Sequence, residues 1–513
     1  MKLIKLFYVL YKIKLLSPIG LYHLLRSVST CGINLMTLLH FAEKKYTNRI
    51  ALVDDKETLT YKQLLEQSTK LVHSLVEKAQ LQSGQKVGVL CRNHALLVKS
   101  IFAVSRVGAD LYLLNTEISK QQFDGFVERH NFDLIIYDAE LSSTIQNYSK
   151  QKILSYHPNL PAISNFLKSN ANQAPLPRAN KGKLILQTSG TTGTSKDAAH
   201  KPSLFHYLNP FVAFIKRLRI LDYQNAYIAT PIYHGYGIAV LLLFIPLGKK
   251  VVITSGFKSK KACELIQQHQ IEVITVVPLM LRKMLQTNLE HLKSLTCIAS
   301  GGAKLPRKLV EETFQKLGPV LYNLYGTSET GLNFIATPQD LMYSDTTIGK
   351  KISGLNISIL DSKKNEVTPG TIGQLCMKND WSIRKDAWIE TGDAGYRDEN
   401  GYYFLCGRMD DMVISGGENV YPIEVEQVLI QHPQILDVAI IGTQDEQFGQ
   451  RLKAFVVPEK NARLKEEELL EWMRPQVARF QLPKEVIIVE QLPYTPLGKL
   501  DKKQLIMQTQ INW

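Results

Sequence analysis

Apolar residues recur along this chain in two rhythms, short β-rich runs and longer stretches with a helical period. Runs at 87–91, 111–114, 134–137, 251–254, 273–277 and 321–325 predict strands. Between them, residues 61–78 place Leu64, Leu65, Leu71, Val72, Leu75 and Val76 at helical spacing. Residues 259–269 and 306–317 predict helices on the same grounds. Strands alternating with helices over this length imply a layered α/β architecture. Past a break near 407–411 the pattern resumes in smaller form, with strands over 438–441, 454–457 and 486–489. Helices are predicted there over 422–431 and 465–479. The organisation expected is an N-terminal extension (1–42), a large layered α/β domain (43–407) and a small mobile α+β domain (408–513). Residues 142–183 are polar, rich in Asn, Lys and Pro, and predict a loosely structured connection.

The extension differs from the rest because no Asp or Glu precedes Glu43. Lys2, Lys5, Lys12, Lys14 and Arg26 sit among Leu, Ile, Phe, Tyr and Val. At about 100° per residue, Lys2, Lys5 and Lys12 share one side of a helix that Pro18 would end. Lys12 and Lys14 interrupt the apolar part and no small-residue cleavage site follows, so a secretory signal fits poorly. The segment is also too short and too charged to span a bilayer. Two readings stand: a helix lying on an anionic membrane surface, or one docked on the protein's own body.

With 513 residues the chain exceeds what one hydrophobic core organises. Its hydrophobic fraction of 45% and charged fraction of 21% are those of a globular protein, which excludes disordered and fibrous classes. Cys31, Cys91, Cys263, Cys297, Cys376 and Cys406 are scattered without a Cys-x-x-Cys pair. That argues against a disulfide framework or zinc site and for a reducing, cytoplasmic setting, at the inner membrane face if the extension binds lipid. A net charge of +14 suits nucleic acid, an anionic membrane or acidic small substrates. No zinc finger, RNA-recognition signature or dense Arg cluster accompanies it, so no nucleic-acid partner is expected.

Candidate chemistry begins where the apolar run 183–186 meets Gln187-Thr188-Ser189-Gly190-Thr191-Thr192-Gly193-Thr194-Ser195-Lys196. Gly190 and Gly193 let backbone N–H groups converge, the hydroxyls add donors, and Lys196 adds charge, a combination suited to phosphate. No Gly-Lys-Ser/Thr closes the loop, so it is not the common nucleotide-hydrolase loop. Read alone, the same composition also describes a flexible linker. Later segments carry further candidates: Gly301-Gly302-Ala303, Tyr325 to Gly331, Thr391-Gly392-Asp393, Gly407 to Asp411, Gly416-Gly417 and Lys499. Singly, each has a plain reading: Asp393 as a turn residue, Lys499 as a solvated lysine, Tyr325 as a core aromatic, Glu329 as a helix-start acid.

Taken in this order, the segments resemble the motifs of the acyl-adenylate-forming, or AMP-binding, superfamily, closest to acyl-CoA synthetases. The resemblance runs from about Thr60 to Asp501. It implies that an acid, activated by ATP as its adenylate, is passed to a thiol. It implies that the loop from Thr188 through Ser189, Gly190, Thr191, Thr192 and Gly193 to Lys196 holds the β- and γ-phosphates. Glu329, with Thr191, would bind Mg²⁺, and Thr327 would meet the α-phosphate. Tyr325 would stack on adenine beside Gly301, Gly302 and Ala303, while Asp393 and Arg408 would hold the ribose. Lys499 would be the catalytic lysine and Asp410 the hinge, with Gly417 turned toward CoA in the second half-reaction. His234 matches a position at the acyl-pocket entrance, and the apolar run 238–247 beyond it suits a hydrocarbon acid.

The activity so implied is an ATP-dependent acyl-CoA ligase for a medium- or long-chain fatty acid. The alternatives are loading of a carrier-protein thiol, or a fatty-acid uptake or binding protein with weakened adenylation. Two positions depart from the family pattern. Lys502 stands where Arg is more usual, and Ser195-Lys196-Asp197 replaces Pro-Lys-Gly. An acid beside a polyphosphate is unfavourable, and losing the glycine restricts the backbone. Asp197→Gly is therefore expected to tighten MgATP binding in a calorimetric titration; unchanged or weaker affinity contradicts this.

Overall fold

The computed structural model describes residues 2–13, 15–168, 176–180, 182–188, 196–200, 207–385, 387–445, 449–495 and 499–510. Its contacts divide into two units. One comprises 1–276, 280–299 and 381–383; the other comprises 277–279, 300–380 and 384–513.

The first unit contains a sheet in the order Gln151–Leu154, Leu134–Tyr137, Lys86–Leu90, Asp110–Leu113, Leu184–Thr188, Lys196–His200. All its pairings are parallel except the last. A second set runs Cys297–Gly301, Val273–Val276, Asn225–Ile228, Lys250–Ile253, Ile50–Val53, Thr58–Thr60. Parallel strands covered on both faces need continuous apolar sequence, and every residue of Val273–Val276 is buried. That requirement made Lys86–Leu90, Asp110–Leu113, Leu134–Tyr137, Lys250–Ile253 and Val273–Val276 readable to within a residue, whereas Ile50–Val53, Asn225–Ile228 and Cys297–Gly301 were not predicted.

The predicted helix at 61–78 forms with those bounds, Tyr61–Lys78. Thr60 caps it by accepting the Gln63 N–H, and the Gln63 side chain returns to the Thr60 N–H. Tyr61 is fully buried, and its hydroxyl donates to the carbonyls of Ile245 at 3.0 Å and Lys249 at 2.9 Å. This satisfies the helix-to-strand turn that follows Gly235–Phe244, which the apolar run 238–247 becomes.

Two expectations change. Pro18 does not end the first helix: α1 spans Lys2–Lys12, and Pro18 opens α2, Pro18–Cys31, at its first position. Ser17 caps that start by accepting the Gly20 N–H at 3.1 Å. Helix α3, Leu35–Tyr46, then buries Met36, Leu39 and Ala42. The described part of the polar stretch after 142 holds regular elements that its composition did not suggest. Gln151–Leu154 adds a parallel edge strand with Ile153 and Leu154 buried, and Ile163–Phe166 forms a short helix. Two apolar residues suffice at an edge that buries one end.

In the second unit, seven strands run in the order Leu321–Thr327, Gly331–Ala336, Thr347–Lys351, Tyr403–Arg408, Ile389–Arg397, Gly373–Lys378, Asn356–Leu360. These pairings are antiparallel. A further sheet follows: Glu418–Val420, Val413–Ser415, Gly449–Pro458 and Ile435–Asp445, with Glu485–Ile488 parallel to Gly449–Pro458. Helices Pro422–Leu429 and Glu466–Met473 pack on it through Val425, Leu429, Leu469 and Met473. The chain is thus mixed α/β, with the small α+β module at its C-terminal end. The break at 407–411 lies within the second unit, where Cys406 and Tyr421 pack with Met409 and Met412. Among the described residues, no helix is long and apolar enough to cross a membrane.

Candidate active site

The best-defined polar constellation in the second unit is built by strand register. Asp393 and Arg408 face each other across neighbouring antiparallel strands, where opposite charges attract. Arg408 Nη1 donates to Asp393 Oδ1 at 2.9 Å and to the Thr391 carbonyl at 2.8 Å. The other carboxylate oxygen, Oδ2, accepts the Tyr325 hydroxyl at 2.5 Å. Thr391 fixes the approach from below: its Oγ1 accepts the Asp393 N–H at 3.1 Å and donates to the Leu375 carbonyl at 2.9 Å. Gly392 completes the fit with φ of 73°, and any Cβ there would lie 2.4 Å from Arg408 Nη2.

The electrostatics follow from this packing. Burial, and after it the Asp393 carboxylate, push the Tyr325 phenol well above its ordinary pKa, so it stays a donor. Burial opposes the charge on Arg408, but Asp393, helped by Asp410 and Tyr325, raises the guanidinium pKa on balance. Among the described residues each Asp393 oxygen thus has one side-chain donor and one lone pair left, the arrangement needed to accept two adjacent hydroxyls.

The turn after Tyr325 is held by a polar network that sequence inspection did not identify. Thr327 Oγ1 accepts the Thr330 N–H at 3.1 Å, and Asn333 Nδ2 donates to Thr330 Oγ1 at 2.6 Å. Asn379 Nδ2 donates to the Thr330 carbonyl at 3.0 Å and to Asn333 Oδ1 at 3.2 Å. Thr330, Asn333 and Asn379 are buried. The available signal was their position: Asn333 interrupts Leu332 and Phe334-Ile335, where an apolar residue would be cheaper unless its amide were used. The network presents Glu329 half-buried on the turn, and its carboxylate takes no hydrogen bond or ion pair from the described residues. A carboxylate so left suits a hard cation.

Other candidate residues are placed less closely together. Gly302 follows its strand at φ 81°, a left-handed position, with Gly301 the last strand residue and Ala303 next. In the first unit, Thr188 and Lys196 pair across the antiparallel strands that flank residues 189–195. Ser189, Gly190, Thr191, Thr192 and Gly193 lie outside the described residues. His234 precedes the buried helix Gly235–Phe244, and its ring lies 4.6 Å from that of Tyr233. A Cβ on Gly237 would meet the Pro231 carbonyl oxygen at 2.2 Å, so this tight entry demands glycine. Asp410, exposed in the short turn Met409–Asp411, lies 3.7 Å from Arg408 Nη2. Gly416 and Gly417, with φ of 61° and 87°, form the two-residue turn joining Val413–Ser415 to Glu418–Val420. Lys499 is exposed beside the Tyr494–Leu500 bridge, and no described contact joins it to Glu329 or Asp393.

A second cluster, Cys91, His94 and Asp138, has the spacing of a metal site but not the chemistry. His94 Nε2 binds Asp138 Oδ1 at 2.8 Å and Nδ1 accepts the Leu97 N–H at 3.0 Å, so both ring nitrogens are occupied. Burial holds the Cys91 thiol well above its ordinary pKa, far from a thiolate ligand.

These features coincide with a known family. The family model for AMP-binding enzymes matches residues 39–385, and that for the AMP-binding enzyme C-terminal domain matches 424–499. The chain belongs to the AMP-binding enzyme family. A 2-succinylbenzoate–CoA ligase of Bacillus cytotoxicus is 29% identical over 479 residues, covering 89% of this chain and 95% of the relative. The o-succinylbenzoate coenzyme A synthetase MenE of Bacillus subtilis, solved with ATP and magnesium ion, is 25% identical. Its TM-score is 0.79, with 91% of this chain and 99% of that one covered. The amide bond synthetase McbA of Marinactinospora thermotolerans has the same fold, with a TM-score of 0.81 at 21% identity and coverage of 92% and 99%.

Tyr325→Phe keeps the ring and removes only the hydroxyl that holds Asp393. It is expected to raise KM for ATP about 5- to 10-fold, about 1 kcal/mol, with little change in melting temperature. An unchanged KM contradicts the positioning role.

Proposed function

We propose that this protein is an AMP-forming acid–thiol ligase, joining a carboxylic acid to CoA in the cytoplasm by way of an acyl-adenylate. The observation that carries the reading is the Asp393 carboxylate, fixed by Tyr325 and Arg408 with one lone pair on each oxygen left for vicinal ribose hydroxyls. Tyr325 takes the adenine face, and the backbone of Gly301, Gly302 and Ala303 allows close approach. The loop from Thr188 to Lys196 takes the β- and γ-phosphates, and Thr327 the α-phosphate. The family resemblance assigns Mg²⁺ to Glu329 and Thr191, which would hold it so that its charge would offset that of the polyphosphate.

In the first half-reaction the acid's carboxylate oxygen attacks the α-phosphorus and pyrophosphate leaves. Lys499 stabilises the charge that builds between them. In the second, the CoA thiolate attacks the acyl carbonyl and AMP leaves. Between the two, the C-terminal module turns about Asp410 and brings Gly417 to the CoA side, a hinge motion absorbed by few residues.

The acid proposed first is a medium- or long-chain fatty acid. Residues 231–247, leading from His234 into the buried helix, contain no Lys or Arg, and Ile238, Val240, Leu241, Leu243 and Phe244 are buried. A second carboxylate in such surroundings would lack a counter-ion. The second reading is 2-succinylbenzoate, the acid named for the relative from Bacillus cytotoxicus.

ATP–pyrophosphate exchange with octanoate, palmitate, 2-succinylbenzoate and malonate tests the proposal. Exchange is expected with the fatty acids, and Lys499→Ala is expected to lower it at least about 100-fold. Exchange with 2-succinylbenzoate alone favours the second acid. No exchange with any acid favours a binding protein and overturns the ligase reading.

A further inference from the structure

The first two helices are docked and exposed at once. Lys5 Nζ donates to Asn209 Oδ1 at 2.6 Å, Val9 and Leu15 are buried, and the Lys216 ammonium sits 4.9 Å from the Tyr8 ring centre. On α2, Ser27 is buried against His40, and Arg106 reaches the Thr30 carbonyl at 3.4 Å. One face of each helix is therefore tied to the first unit. On the other, Ile4, Phe7 and Tyr11 are 73%, 55% and 70% exposed, and Ile19, Tyr22 and Leu25 are 69%, 56% and 60% exposed. Three- and four-residue spacing makes each triplet a stripe along its helix. Nine of the 20 exposed large hydrophobic side chains among the described residues fall between Ile4 and Ile33. A concentration of that kind marks a contact surface.

We propose that these stripes seat the enzyme on an anionic lipid bilayer. Charge selects this occupant. No acid occurs in the first 42 residues, while exposed Lys12 and Arg26 flank the stripes. A second copy of the chain would set these cations against their like, whereas lipid phosphates pair with them. Tyr11 and Tyr22 carry an apolar ring and a polar tip, which suits the headgroup boundary. Helices of 11 and 14 residues lie on a bilayer and do not cross it. Lys5 is not part of the lipid-facing set, because it is spent on Asn209. For a ligase of apolar acids, such seating places the site where the substrate partitions; that consequence alone rests on the fatty-acid reading.

Co-sedimentation of the full-length protein with vesicles tests the proposal. The vesicles are phosphatidylcholine alone, or phosphatidylcholine with phosphatidylglycerol. Preferential binding to the anionic vesicles is expected. Phe7→Ser/Ile19→Ser/Leu25→Ser is expected to weaken it at least about 10-fold. Lys12→Glu/Arg26→Glu is expected to remove the preference for phosphatidylglycerol. Adenylation of a water-soluble acid by each variant reports folding and the ligase chemistry independently. The proposal falls if the wild type ignores anionic vesicles or if the triple variant binds them equally. It also falls if sedimentation velocity shows a dimer that the triple variant loses, since a second copy would then cover the stripes.

Discussion

The polar constellation of the second unit depends on one carboxylate being held still. Asp393 lies between a phenol whose pKa is pushed well above normal and a guanidinium whose charge it stabilises. Neither partner surrenders its proton near neutrality, so the carboxylate has two fixed donors and a fixed direction. The surrounding backbone is arranged around that fact. Gly392 clears room for Arg408, Thr391 ties the strand to Leu375, and strand register sets the pair opposite each other. A charge-assisted pair of this sort is weak evidence for stability but a good device for orientation. Its value lies in preorganisation, which removes the ordering cost when a ligand binds.

The same economy appears one turn away. The Thr327–Gly331 turn would be a loose polar loop without the amides of Asn333 and Asn379 beneath it. Buried amides are expensive unless satisfied, and here they are satisfied by the turn itself. Glu329 is left out of the network, on the surface the network shapes. Support and chemistry are thus divided between residues that are buried and bonded and residues that are not.

How much of this was legible in the sequence depended on the kind of burial. Parallel strands such as Val273–Val276 are apolar throughout and could be read directly, as could Tyr61–Lys78 with its Thr60 cap. Most of 331–408 could not. Asn356–Leu360 buries one residue of five, and such half-exposed antiparallel strands mix polar with apolar residues. The site motifs were visible as residue types in order. The partnership of Tyr325 with Asp393 was not, because it joins residues 68 apart through register alone. Pro18 was misread for a local reason: Pro stops a helix from within but starts one readily at its first position.

The central claim is that Asp393, as an oriented carboxylate, holds the nucleotide. It is tested most directly by the MgATP dissociation constant of Asp393→Asn, measured calorimetrically against wild type. The amide keeps the shape but turns a donor toward Tyr325 or Arg408. The account predicts binding weaker by about 30-fold or more, roughly 2 kcal/mol, in a protein that still folds. An Asp393→Asn protein that folds and binds MgATP as tightly as wild type would contradict it.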